Sequence, residues 1–125
     1  MQRHDPCGYL YTTAGASVTP EITKQKSGKP EWGRILQHLP NALLAMIAVR
    51  KYGNDKYAAI AEKAGVPFDS ESWRTNSAQD YLESAQRHMT ALFRGERINA
   101  EDSGVHHAAQ AMVDLAFFME IEHAA

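Results

Sequence analysis

The chain has a single cysteine, Cys7, among its 125 residues. One thiol closes no internal disulfide and supplies no C-x-x-C metal site, so a reducing cytoplasm is the simplest compartment. Positive charge is not in surplus: 13 lysines and arginines face 15 acids, for a net charge of −2. No basic field is available to hold nucleic acid, and direct nucleic-acid binding is not expected. Long apolar runs are missing. The richest, Ala108 to Met119, is broken by Gln110 and Asp114, well short of the roughly 18–20 apolar residues of a membrane span. Met1 to Asp5 is polar and no apolar stretch follows it, so neither a secretory leader nor a membrane partner is expected. Walker loop, nucleophile elbow and dinucleotide glycine motif are all absent.

What is present reads as all-α: three to four helices in a small bundle, preceded by an irregular arm. Residues 1–30 form the arm, extended or disordered, punctuated by Gly8, Gly15, Gly28, Pro6, Pro20 and Pro30. Tyr9 to Thr13 can make a short strand within it. The helical domain is residues 31–125. Its first helix starts near Trp32, has a boundary or kink at Pro40 and is expected to stop at Gly53-Asn54. Leu36, Leu39, Leu43, Leu44, Ile47 and Ala48 recur at helical spacing, as on a buried face. A shorter helix follows over about Asp55 to Lys63. After a loop rich in turn formers, Asn76 or Ser77 caps a helix that runs to Arg94. Asp102 or Ser103 is expected to cap the last helix, which ends near Glu122 and is apolar nearly all round. A helix of that kind sits centrally or at a subunit contact, so a homo-oligomer, a dimer or larger, is expected.

Ionisable side chains recur on these helices. Glu83, Arg87, Thr90 and Arg94 share one side of the third helical segment, with His88 beside them. His107, Gln110 and Asp114 share a face of the last. Asp114, between Val113 and Leu115-Ala116-Phe117-Phe118, is the sharpest anomaly, because a buried carboxylate is costly unless paired, protonated or metal-bound. Arg87 or His88 is an equally good structural partner for it. His106 is expected to be solvated. Glu96, Glu101 and Asp102 between the helices suit Mg²⁺ or Mn²⁺, or simple helix capping. Arg50, Lys51 and Lys56 are cations near a helix end that phosphate oxygens would suit, or an ordinary solvated surface. Trp73, beside Arg74, either stacks on a base or anchors its loop.

Taken in order, Gly28-Lys29-Pro30, Trp32, Leu39-Pro40, Val49-Arg50, Tyr52-Gly53, Lys56-Tyr57, Ser72-Trp73-Arg74, Tyr81, Arg87-His88, Gly95-Glu96, Asp102-Ser103-Gly104 and His107 resemble the phage and bacterial dATP/dGTP diphosphohydrolase N-terminal domain family. The resemblance spans about residues 28 to 122. It implies an all-α enzyme, similar in kind to nucleotide pyrophosphohydrolases of the MazG type, that cleaves a deoxypurine triphosphate to monophosphate and pyrophosphate with Mg²⁺ or Mn²⁺. Four departures stand out: no acid lies between Leu43 and Val49, Gln110 stands where a second histidine is usual, Asp114 where asparagine is, and the loop before Asp102 holds one extra residue.

The resulting expectation is a metal-dependent nucleotide pyrophosphohydrolase. Glu83, Glu96, Asp102 and Asp114 are its candidate metal ligands, and His88, His107 and Arg87 its catalytic candidates. Lys51, Lys56, Tyr57, Trp73 and Arg74 are the candidate nucleotide contacts. Two rivals remain at this stage: a protein that sequesters a nucleotide or cyclic nucleotide without hydrolysing it, and a helical assembly protein with no small-molecule site.

Overall fold

The computed structural model describes residues 31–124, preceded by two short strands, β1 (Gln2–His4) and β2 (Leu10–Thr12). The strands pair antiparallel, with Gln2 opposite Thr12 and His4 opposite Leu10. β2 falls inside the Tyr9 to Thr13 stretch that the sequence allowed as a strand. The remainder of the expected arm lies outside the described residues. The chain forms two compact units, Met1–Pro40 and Asn41–Ala125, and the helical body is all-α, with four α-helices among the described residues.

Helix α1 (Trp32–His38) opens with the Arg34 amide donating to the Glu31 carbonyl at 3.1 Å and closes with the Leu39 amide on Ile35. Pro40 ends it, because a residue before proline is driven from the α region, and Leu39 sits at φ −126°, ψ 44°. Pro40 is then the first residue of α2 (Pro40–Ala64), where its missing N–H is no loss.

The expected stop at Gly53-Asn54 does not occur: α2 runs through it unbroken. A helix-interior glycine costs only about 1 kcal/mol relative to alanine, and good helix formers on both sides outweigh it. The stop comes at Gly65, where φ is +70°. There the Gly65 amide bonds Glu62 and the Val66 amide bonds Ala61, which closes a Schellman turn. A methyl group at position 53 would touch only the Arg50 guanidinium, at 3.9 Å. Gly53→Ala is therefore expected to stabilise the fold by about 1 kcal/mol in denaturant titrations.

Helix α3 (Ala78–Phe93) is capped by Ser77, whose hydroxyl accepts the Asp80 amide at 3.2 Å. It ends at Gly95 in a second Schellman turn, with Glu96 bonding Ala91 and Gly95 bonding Leu92. Helix α4 (His107–Ala124) is capped by neither Asp102 nor Ser103. His106 does it: its Nδ1 accepts the Ala108 amide at 3.0 Å, and its carbonyl accepts from Ala109 and Gln110. The intervening loop folds back on itself through an Ile98–His106 bridge and an Asn99-to-Val105 bond, so the chain enters the helix later than composition suggested.

Helices α3 and α4 pack antiparallel, since His88 meets His107 near one end and Tyr81 meets Phe117 near the other. Small side chains let them approach closely: Ala85, Ala109, Ala111 and Val113 are the buried apolar residues. No residue of α2 is buried, and Leu44 and Ile47 stand exposed, contrary to the buried face expected of its stripe. The physical reason is that α2 makes no close backbone approach to α3 or α4. Its inner side borders a cavity instead. No helix among the described residues is long and apolar enough to cross a membrane.

Candidate functional site

The cavity lies within the Asn41–Ala125 unit and measures about 540 Å³, inside the range of about 300–1,000 Å³ common for small-molecule sites. Three helices line it with matched strides. Arg50, Gly53 and Tyr57 come from α2, Tyr81, Ser84 and His88 from α3, and Gln110, Asp114 and Phe117 from α4. Each stride alternates three and four residues, the spacing of one helix face. A 3₁₀ turn (Ser72–Thr75) and the loop residue Asp102 complete the wall.

One part of the lining is aromatic and cationic. Trp73 stacks on Phe117 with ring centroids 4.2 Å apart and planes at 14°. Tyr81 meets the edge of Phe117 at 5.0 Å. The Arg50 guanidinium lies over the Phe117 ring at 4.9 Å and that of Arg74 over Trp73 at 4.3 Å. Two groups cannot occupy one ring face at such distances, so the order is Arg50, Phe117, Trp73, Arg74. Both faces of Trp73 are covered. Its expected role as a base platform is corrected to that of an anchor, and the Tyr81 hydroxyl reinforces it by donating to the Trp73 carbonyl at 2.8 Å.

The other part is acidic and imidazole-lined. His88 Nδ1 faces His107 Nδ1 at 2.9 Å, so a single proton serves that contact. His107 is buried behind His88 and does not line the cavity. Its Nε2 points to Glu96, 4.0 Å away. If the Glu96 side keeps the proton on His107 Nε2, His88 donates from Nδ1 and its Nε2 is left bare. That atom lies 3.9 Å from Asp114 Oδ2, an oxygen that is buried without a hydrogen-bond partner. Burial pushes the Asp114 carboxyl above its usual range, against a bond from Ser84 and the charge of Arg87. Burial also pushes His88 below the usual imidazole range, aided by the charges of His107 and Arg87 and opposed by Asp102. A neutral His88 beside Asp114 is therefore not an ion pair. Because its folded pKa is depressed, the unfolded chain takes up the proton first as pH falls. The His88 contribution to stability should be intact at neutral pH and be lost as pH drops below about 6.5. Melting temperatures from pH 5 to 7.5 should show a shallower acid loss for His88→Gln than for the parent chain.

Asp102 accepts a hydrogen bond from the Tyr52 hydroxyl at 2.5 Å, with Lys56 Nζ 4.0 Å from the same carboxyl oxygen. This pair of contacts ties the loop between α3 and α4 to α2. The bond to Asp102 holds the Tyr52 proton and raises that phenol above its usual range.

The expected site residues thus divide. His88, Asp102, Asp114, Lys56, Tyr57 and Trp73 line the cavity. Glu83, Arg87 and Glu96 are exposed and do not, and Arg87 acts on His88 and Asp114 only through its charge. Lys51 is exposed and paired with Asp55 at 2.6 Å, and Arg74 is held by Trp73 and Glu71. Among the described residues no three Asp, Glu, His or Cys side chains converge as a metal cage. Glu83, Glu96, Asp102 and Asp114 are accordingly not gathered around one point. Phe117, Tyr52, Asn76, Asp80, Tyr81 and Ser84 line the cavity without having been singled out for it. Extending the stride from Gln110 to Asp114 by three more residues would have found Phe117.

Residues 20–125 match the family model described as dATP/dGTP diphosphohydrolase, N-terminal. No curated protein and no solved structure shows a match to the chain.

Proposed function

The chain belongs to the dATP/dGTP diphosphohydrolase N-terminal domain family, and from that premise we propose that its cavity takes a deoxypurine nucleoside triphosphate and releases monophosphate and pyrophosphate. One observation carries the chemistry: the unpartnered Asp114 oxygen beside a His88 held neutral, both on the wall of a nucleotide-sized space. When His107 Nδ1 accepts in the contact between the two rings, His88 carries its proton on Nδ1, and its bare Nε2 can accept a proton from water. Tyr57, half exposed on the cavity wall, offers an aromatic face to the base.

The four acids expected around a metal do not form a cage, but Asp102 and Asp114 remain on the cavity wall. Mg²⁺ binds through one or two carboxylates and completes its sphere with water and substrate phosphates. Those two residues would hold it, and the ion, when bound, would neutralise phosphate charge and acidify a water molecule. A homodimer belongs to the same proposal, covering Leu44 and Ile47 of α2 together with Leu115 and Met119 of α4, all exposed. Elution as a monomer over a wide concentration range would remove that part.

The test is incubation with each deoxynucleoside triphosphate and Mg²⁺ or Mn²⁺, followed by chromatography of the products. Purine triphosphates should give monophosphate and pyrophosphate, and His88→Gln should slow turnover by about 10²-fold or more. One second reading, a protein that sequesters the nucleotide, is favoured by the stretch from Leu43 to Val49, which carries no acid. In that case the ligand binds stoichiometrically and is recovered intact.

A further inference from the structure

We propose that Arg50 grips the phosphate chain of the guest, its guanidinium held ready by the face of Phe117. The proposal rests on the nucleotide reading of the cavity and adds the residue that sets the guest's orientation. Of the cations that the sequence brings forward beside Arg50, Lys51, Lys56 and Arg74 each have an acid beside them: Asp55 at 2.6 Å, Asp102 at 4.0 Å and Glu71 at 3.2 Å. Lys51 and Arg74 do not reach the cavity at all.

Arg50 differs on every count. It is half-buried on the cavity wall, and among the described residues no carboxylate lies within ion-pair distance of it. Among the described residues its single polar contact is a long one, Nη2 donating to the Ser70 carbonyl at 3.5 Å. Most of its five N–H donors are therefore uncommitted. The planar face rests on Phe117, which is backed in turn by Trp73 and Arg74. A guanidinium fixed by stacking keeps its fork free and loses little conformational entropy when it binds a phosphate.

Gly53 gives independent support. It lies one turn beyond Arg50, lines the same cavity, and is a glycine inside a helix with φ in the ordinary range. The packing of the fold does not require it, since a methyl there would meet nothing closer than Arg50 Nη1 at 3.9 Å. The missing side chain leaves space directly beside the guanidinium, where a phosphate group would sit.

Inorganic tripolyphosphate is the probe, because it has charge and no base to stack. Calorimetric titration should show Arg50→Gln binding it about tenfold or more weakly than the parent chain. Arg50→Lys should recover part of the loss, and Lys51→Gln should bind as the parent does. Equal binding by Arg50→Gln, or an equal loss in Lys51→Gln, overturns the proposal. Should Arg50→Gln fail to fold, the Arg50 side-chain NMR resonances of the parent chain decide: they must shift on addition of tripolyphosphate, and their staying put overturns it. If deoxypurine triphosphate binds the parent chain and Arg50→Gln alike, only the role of Arg50 fails. If neither nucleotide nor tripolyphosphate binds the parent chain, the nucleotide reading fails and this inference with it.

Discussion

Asp114→Asn is expected to give a protein that is harder to unfold and has lost its turnover. The carboxyl is shielded from solvent, with 14% of its side chain exposed, and one oxygen has no hydrogen-bond partner. Its pKa is raised chiefly by burial. A raised carboxyl pKa means that the folded state holds a proton over a window in which the unfolded chain has already released it. Stability is therefore lost as pH rises from the ordinary carboxylate value through the folded pKa, and at neutral pH the charge is a standing cost. Removing it should stabilise the protein at pH 7 in buffer free of divalent metal and nucleotide. The gain should shrink as pH falls through the folded pKa of Asp114 towards the ordinary carboxylate value. Hydrolysis of a deoxypurine triphosphate should fall by about 10²-fold or more. Opposite signs in stability and activity are what a strained functional group gives. A variant less stable than wild type by the same amount at pH 4 and pH 7 would mean that Asp114 is an ordinary structural partner.

Helix boundaries were legible wherever local chemistry decides them. Ser77 caps through its hydroxyl, Gly65 and Gly95 stop through backbone turns, and Pro40 divides by restricting Leu39, all from chemistry visible in the immediate sequence. Two ends were not legible. Gly53 looks like a stop, but a single glycine cannot break a helix with good formers on both sides. His106 takes the cap from Asp102 and Ser103 because the loop pairs Ile98 with His106, a contact across eight positions that no local rule anticipates. The site shows the same division. His88 and Asp114 stood out because an ionisable group on an apolar helix is conspicuous by itself. The companion residues on α3 were misjudged by one position. Glu83 and Arg87 form one stride and Ser84 and His88 the next, about 100° round the helix, and only the packing of α4 settles which one faces inward. Trp73 needed the third dimension altogether, and for Arg50 the sequence showed the charge but not the Phe117 ring beneath it. A tryptophan beside an arginine is a good stacking candidate until Phe117, 44 positions later in the chain (117 − 73), is found on one face and Arg74 on the other.

Phe117→Ala should be the most destabilising single change in the cavity wall, at about 3 kcal/mol. Phe117 is the one ring that joins the three walls: Trp73 stacks on one face, the Arg50 guanidinium covers the other, and the edge meets Tyr81. Each aromatic pair adds about 0.5–1.5 kcal/mol beyond the area buried, and because the ring is half-buried rather than fully enclosed the total should stay near the lower end for such truncations. Phe117→Leu keeps most of the apolar volume and should lose only about 1 kcal/mol. The 3₁₀ turn would keep its own bonds, from Thr75 Oγ1 to the Ser72 carbonyl and from Tyr81 to Trp73. It would lose its seat on α4, so amide exchange over residues 72–76 should quicken in Phe117→Ala more than elsewhere. Trp73 emission, read in a Trp32→Phe background because the chain has two tryptophans, should shift to the red. The same variant removes the surface on which Arg50 rests, so tripolyphosphate binding should weaken by about tenfold even under conditions where the protein is fully folded. Phe117→Leu should lose that affinity too, despite its milder effect on stability, because a leucine fills space but gives a guanidinium no π face. If both variants held tripolyphosphate as the parent does, stacking would have no part in positioning Arg50, and the aromatic pile would be a packing feature alone.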